Sequence, residues 1–146
     1  MSAPRSVRED VHVHALADEV YALLIEASAR WWPPAVTEVE ASGEGLAFTL
    51  DLPGRRERAT LMRVTDDPPR YIEFVADGTA SPVRALRWVV NIEGPREVHM
   101  IAELEYEPAA GPLGWLMEET AQRPSRTQML RDALWRLKLI AEGQGE

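Results

Sequence analysis

The chain has 146 residues, 45% hydrophobic and 27% charged, with 24 acidic side chains against 16 basic ones, a net charge of −8 and no cysteine. That composition excludes disorder, collagen-like repeats and coiled coil. The acidic balance argues against a protein that wraps a phosphate backbone, so no nucleic-acid partner is expected, and without cysteine there is no disulfide, thiol nucleophile or zinc–thiolate site.

At roughly 150 residues per domain, the length gives one domain, 1–146, with 1–5 and 143–146 as flexible ends. Met1-Ser2-Ala3-Pro4-Arg5 opens no apolar leader, and no apolar stretch nears the ~20 residues of a membrane span. The expectation is a cytoplasmic protein, monomer or homodimer, without integral membrane association.

Val7 to His14 alternates, with Val7, Val11 and Val13 on one side, which reads as a half-buried strand. From Ala17 the period lengthens. Val20, Leu23, Leu24 and Ala27 recur at three and four, with Asp18 and Glu19 in a helical first turn, and Pro33-Pro34 stops the region after Trp31-Trp32.

Short strands follow at Val36–Ala41, Leu46–Leu52, Arg56–Thr65, Tyr71–Val75, Val83–Ile92 and Glu97–Glu107, divided by turn residues such as Pro53-Gly54 and Gly94-Pro95. Beyond Gly111-Pro112, Leu113 to Glu119 reads as a turn or two of helix. Ser125 then fits an N-cap with Gln128 completing a capping box, so Pro124 is expected to split a stub from the main helix. That helix, Arg126 to Glu142, carries Met129, Ala133 and Leu137 on its apolar stripe. The stretch from Arg123 to Ile140 is the basic part of the chain; its cations read as solvated ones that favour the helix's negative end.

The junction His14-Ala15-Leu16-Ala17-Asp18-Glu19-Val20-Tyr21-Ala22-Leu23-Leu24 resembles the first strand-to-helix step of the START-like (Bet v 1-like, SRPBCC, helix-grip) superfamily. Leu134-Trp135-Arg136-Leu137-Lys138-Leu139-Ile140-Ala141-Glu142 is similar to the end of its terminal helix. Gly111-Pro112-Leu113-Gly114-Trp115-Leu116 is similar to the linker in its polyketide cyclase/dehydrase-like branch.

The resemblance implies an α+β helix-grip fold: about seven antiparallel strands in a strongly curved sheet (β-α-α-β6-α) around a long C-terminal helix, with a cavity between them. Ala29-Arg30-Trp31-Trp32-Pro33 is also similar to a motif of the Hsp90-activator branch, which would make the chain a protein-interaction module.

Strand parity and this fold together nominate the cavity lining. It comprises Phe48 and Leu50, Met62, Phe74, then Leu86, Trp88 and Val90, then Met100 and Leu104, with Met129, Ala133 and Leu137 from the helix. Trp32, Trp115 and Leu116 are expected near a mouth. Arg84 and Tyr106 are inward polar candidates by parity, with Thr60 beside them. An apolar set rich in Met and Trp suits a hydrophobic small molecule: a lipid, aromatic or polyketide-like compound. The first expectation is therefore a binding or carrier protein, and the second an aromatase/cyclase- or dehydrase-type enzyme.

Catalytic signals are thin. No serine sits in GxSxG, no phosphate loop is present, and no cofactor is expected. Glu103, Glu105 and Glu107 repeat at two, as an exposed strand face does. His12, His14 and His99 share outward parity beside acids and read as a solvated face, with no metal expected.

Overall fold

Seven runs of alternating polarity become the seven strands of one antiparallel sheet in the computed structural model, which describes residues 4–26, 31–42, 44–78 and 81–143, with the backbone alone at 41 and 42. They are β1 (Arg5–Val13), β2 (Val36–Ser42), β3 (Gly45–Leu52), β4 (Arg55–Asp67), β5 (Tyr71–Ala76), β6 (Val83–Gly94) and β7 (Glu97–Tyr106). Their order is β1-β7-β6-β5-β4-β3-β2, so the first strand closes beside the last, and the sheet curls into a half-barrel. The expected α+β helix-grip fold is the one observed.

Register follows polarity. Val7 faces Leu104, Val11 faces Met100 and Val13 faces Val98 on the concave side, while Arg8 meets Glu103 and His12 meets His99 on the convex side. The two imidazoles stack at 4.3 Å, His12 Nδ1 lying 3.2 Å from Glu93 and His99 Nε2 lying 2.6 Å from Asp10. Among the described residues no His, Asp and Glu cluster has metal-holding geometry.

α1 (Ala17–Ile25) starts where the Glu19 carboxylate accepts the Leu16 N–H at 3.4 Å, and it buries Val20, Tyr21 and Leu24. Of a second short helix before β2, residues 27–30, which include Ala29 and Arg30, lie outside the described residues. Residues 31–35 run as turns.

The C-terminal helix departs from expectation. α2 (Gly111–Met117), a π-helical turn (Glu118–Gln122) and α3 (Arg123–Ala141) follow without a break. Proline has no N–H to give, and its ring crowds the carbonyl four residues back. The wider π turn just before it relieves that crowding, so the chain runs through Pro124. Ser125 is consequently interior rather than a cap, and its hydroxyl donates to the Ala121 carbonyl at 3.1 Å. Gly114 lets α2 pass against its own entry loop, because a Cβ there would lie 2.5 Å from the Ala109 carbonyl oxygen.

α3 lays Met129, Leu130, Ala133, Leu134 and Leu137 across β1 and β7. They meet a concave face of Phe48, Leu50, Leu61, Ile72, Leu86, Trp88, Val90, Met100 and Leu104, each 2% exposed or less. Such burial contributes roughly 1.5–3 kcal/mol per large side chain. The helix fills the sheet more fully than expected: a cavity of about 40 Å³, room for a water or two, lies at the α1 end of the concave face and is bordered by no residue of α3.

Four further expectations are corrected. β4 presents Glu57, Ala59, Leu61 and Arg63 inward, so Thr60 and Met62 face out, Met62 being 41% exposed. Polar Glu57 and Arg63 disguise the inner face of that strand. Arg84 is the extra residue of a bulge between Val83 and Ala85; this resets the parity, and its guanidinium donates to the Ser81 carbonyl at 3.2 Å. Trp115 and Leu116 stand in solvent on α2. Arg5 belongs to β1 and pairs with Glu119 rather than fraying, while 1–3 and 144–146 lie outside the described residues.

Candidate functional site

The concave face has two chemically different ends, separated by the length of β3. Its 8 residues, at about 3.3 Å each, span about 25 Å. At the end beyond Leu52, the β3–β4 turn at Pro53-Gly54 meets the helical stretch. Gln122 donates to the Pro53 carbonyl at 3.2 Å, and the Met117 methyl lies 3.5 Å from where a Cβ on Gly54 would be.

Arg126 is sealed there, fully buried. It donates to both oxygens of Glu57 at 2.6 and 2.8 Å and to both oxygens of Glu118 at 3.1 Å. Its guanidinium lies 3.8 Å from the centre of the Tyr106 ring, a cation–π contact strengthened by desolvation.

Burial alone would weaken the Arg126 charge; hydrogen bonds to Glu57 and Glu118 outweigh it, and the pKa is raised. The Tyr106 hydroxyl accepts from Arg123 at 3.0 Å. Burial, then its hydrogen bond to Glu118, pushes its pKa up against the opposing pull of Arg123. Arg55 adds a second cation to Glu57 at 2.6 Å.

All four carboxylate oxygens around Arg126 are engaged. The work of this cluster is to fix the start of α3 on the sheet. Of the basic stretch, therefore, Arg126 is core, and Arg123 is tied to Tyr106 and to the Ser6 carbonyl. None of the three buried charges stood out in the sequence; the only available signal was that Glu57 alternates in step with Ala59 and Leu61.

At the other end, near Gly45, the face is aromatic. Trp31 stacks on Trp32 at 4.3 Å and meets Trp88 edge-on at 5.4 Å, and Trp32 leans on Phe48 at 5.1 Å. Trp31 is fixed, its indole N–H donating to the Leu23 carbonyl at 2.8 Å. These rings, with Leu24 and Ile25 of α1, Leu46, Phe74 and Arg63, border the 40 Å³ cavity, whose rim includes Glu44.

Arg63 shares the inner face because it stands opposite Phe74 in register. Its guanidinium reaches Glu44 at 3.7 Å, beyond hydrogen-bond distance. One turn back on α1, the Tyr21 hydroxyl is buried without a hydrogen-bond partner among the described residues. Burial raises its pKa, Asp66 adds to the rise, and Arg63 opposes it.

Of the nominated lining, Trp32, Phe74 and Trp88 border this cavity, with Phe48 behind Trp32. Leu50, Leu86, Val90, Met100, Leu104, Met129, Ala133 and Leu137 form the packed face behind it. Tyr106 lies at the sealed end, and Met62, Arg84, Trp115 and Leu116 belong to neither end's interior. Trp31, Arg63 and Tyr21 were not nominated. Trp31 was legible as half of a Trp pair, but Arg63 was not, since a charged residue in an alternating strand reads as its outer face.

Solved structures share this architecture. A protein from Thermus thermophilus is 18% identical, with a TM-score of 0.77 over 97% of this chain and 100% of its own. The Zhui aromatase/cyclase from Streptomyces sp. R1128 is 22% identical, with a TM-score of 0.60 over 98% and 92%. A START superfamily protein from Mycobacterium smegmatis is 16% identical, with a TM-score of 0.61 over 90% and 98%. At these identities the likeness is one of fold. No curated protein matches the sequence, and among the described residues no helix is long and apolar enough to cross a membrane. Over residues 4–142, however, the chain matches one family along nearly its whole length, and it belongs to it: the polyketide cyclase/dehydrase and lipid transport family.

Proposed function

We propose that this protein binds and carries a hydrophobic small molecule, taken up at the aromatic end of the concave face. The observation that carries the reading is the Trp31–Trp32–Trp88 cluster bordering a residual cavity, with Trp32 half-buried at its rim. Flat apolar rings beside unfilled space offer stacking and apolar surface to a lipid tail or a fused-ring compound. Family membership supports it, its description joining lipid transport to polyketide chemistry.

A 40 Å³ cavity is far below the roughly 300 Å³ at which ligand pockets begin, so uptake requires the Trp32 ring to give way. Burying about 300 Å² of ligand returns roughly 7 kcal/mol. Association costs at least about 4 kcal/mol, and uncovering part of an indole takes much of the remainder. Apolar contact alone therefore leaves weak, millimolar binding, and a selective ligand must bring a polar group that the site reads.

The carrier role is favoured over the enzyme because the buried carboxylates of the fold, Glu57 and Glu118, are both saturated by Arg126 at the sealed end and so offer the cavity no general acid or base. Intrinsic tryptophan fluorescence tests the reading directly. Titration with medium-chain acyl compounds and naphthalene derivatives should shift and saturate the emission, and Trp32→Ala should change the affinity. A spectrum unmoved by every member of both sets overturns it.

A further inference from the structure

We propose that the ligand's polar group is a carboxylate, read by the Arg63 guanidinium after it exchanges Glu44 for the ligand, with the Tyr21 hydroxyl as a second donor. This rests on the binding reading above and names the class of molecule.

Three observations converge. First, Arg63 is the cation bordering the aromatic cavity, with its side chain 25% exposed, so it is partly desolvated yet reachable. Second, its partner is poorly held. Glu44 is 64% exposed and 3.7 Å away, and exposed pairs of that kind are held weakly. Arg126, with four short bonds to two buried carboxylates, shows what a committed arginine looks like in this fold. A ligand carboxylate can offer Arg63 the paired oxygens that Glu44 does not, in the two-bond geometry guanidinium favours.

Third, Tyr21 is only 7% exposed, and its buried hydroxyl has no hydrogen-bond partner among the described residues. A buried, unpaired hydroxyl is destabilising unless something satisfies it. Tyr21 precedes Leu24 and Ile25 by three and four positions on α1, the spacing of one helix face, and both of those line the cavity. Burial and then Asp66 raise the pKa of this hydroxyl, and Arg63 is the next influence on it, lowering it.

The test pairs probes that differ only in the head group: decanoic acid with decanol, and naphthoic acid with naphthylmethanol. Binding is followed at neutral pH by tryptophan fluorescence and calorimetry. The native protein should prefer each acid over its alcohol by about tenfold or more, the gain of a charge-assisted bond. Arg63→Gln should bring each pair to within about twofold by weakening the acid while leaving the alcohol unchanged. Glu44→Gln should tighten the acid only. Tyr21→Phe should weaken the acid a few-fold without lowering the melting temperature, which separates a ligand contact from a packing role.

Uptake of the alcohols as tightly as the acids, or an acid preference that survives Arg63→Gln, overturns the carboxylate assignment while leaving the binding reading intact. Failure of all four probes to bind overturns both.

Discussion

The two ends of the concave face each carry an arginine, and the difference between them separates a structural charge from an available one. Arg126 is fully buried with both carboxylates within hydrogen-bond reach, whereas Arg63 keeps a quarter of its side chain in water and faces one exposed carboxylate at 3.7 Å. A buried charge is tolerated only when its partners replace water. Where they do so completely, as at Arg126, no capacity remains for a ligand. Where they do so loosely, the fold has left the charge exchangeable.

Single truncations should expose this difference. Arg126→Ala strands Glu57 and Glu118 without their cation in a dry site, and it should cost about 3–5 kcal/mol of unfolding free energy. Arg63→Ala breaks an exposed pair and should cost less than about 1 kcal/mol. Urea denaturation of both variants checks the contrast, which fails if the two losses are equal.

The aromatic end has its own gradient. Trp88 is 1% exposed and holds Trp31 edge-on, while Trp32 is only half-buried. Trp88→Ala should therefore cost about 3–5 kcal/mol, and Trp32→Ala distinctly less, because its ring is the part of the cluster that must move for a ligand. Equal losses would make Trp32 a fixed core residue and remove the proposed entrance.

Much of the fold was legible because most strands obey a simple alternation. β7 places Val98, Met100, Ala102, Leu104 and Tyr106 inward without exception, and β1 meets it with Val7, Val11 and Val13, though Glu9 and Arg5 stand opposite Ala102 and Tyr106. Reading failed where chemistry overrode polarity. In β4 three positions of inward parity are charged: Glu57 is neutralised by Arg55 and by Arg126, nearly seventy positions away in sequence, and Arg63 stands at a wet rim. No local pattern can reveal a partner that distant.

At Arg84 a bulge shifted the parity by one, and at Pro124 a π turn removed the break that proline usually imposes. The candidate site was half legible for the same reasons. Its rings follow apolar spacing, whereas its polar groups break it.

A smaller effect concerns how the sealed end is joined to the chain leading into it. Gly114→Ala puts a methyl carbon 2.5 Å from the Ala109 carbonyl oxygen, so α2 or its entry loop must shift. The cost should resemble that of mild overpacking, about 1–3 kcal/mol, read by thermal unfolding. Because Met117 touches the Gly54 turn, the shift should loosen the sealed end while leaving tryptophan emission at the aromatic end unchanged. A change in that emission would show that the two ends are not independent.

The smallest predicted effect sharpens the comparison with a third set of charges, at the far end of α3. Glu142 accepts the His14 backbone N–H at 2.8 Å and the Lys138 ammonium at 2.9 Å, and Lys138 in turn donates to the His12 carbonyl at 2.8 Å. Burial, the largest single influence, pushes the Glu142 pKa up, but the His14 hydrogen bond and then Lys138 outweigh it, and the net shift is downward. A carboxyl whose folded value is depressed contributes stability above its unfolded value and loses it as pH falls through the folded one.

Glu142→Gln should therefore melt slightly below the native protein at neutral pH, with the gap closing as pH falls through and below the usual carboxylate range. Arg126→Ala should instead stay far less stable than the native protein at neutral pH, because no exposed tether substitutes for its buried one. A Glu142→Gln gap that stays constant with pH would mean that the carboxylate acts through its shape and hydrogen bonds rather than its charge.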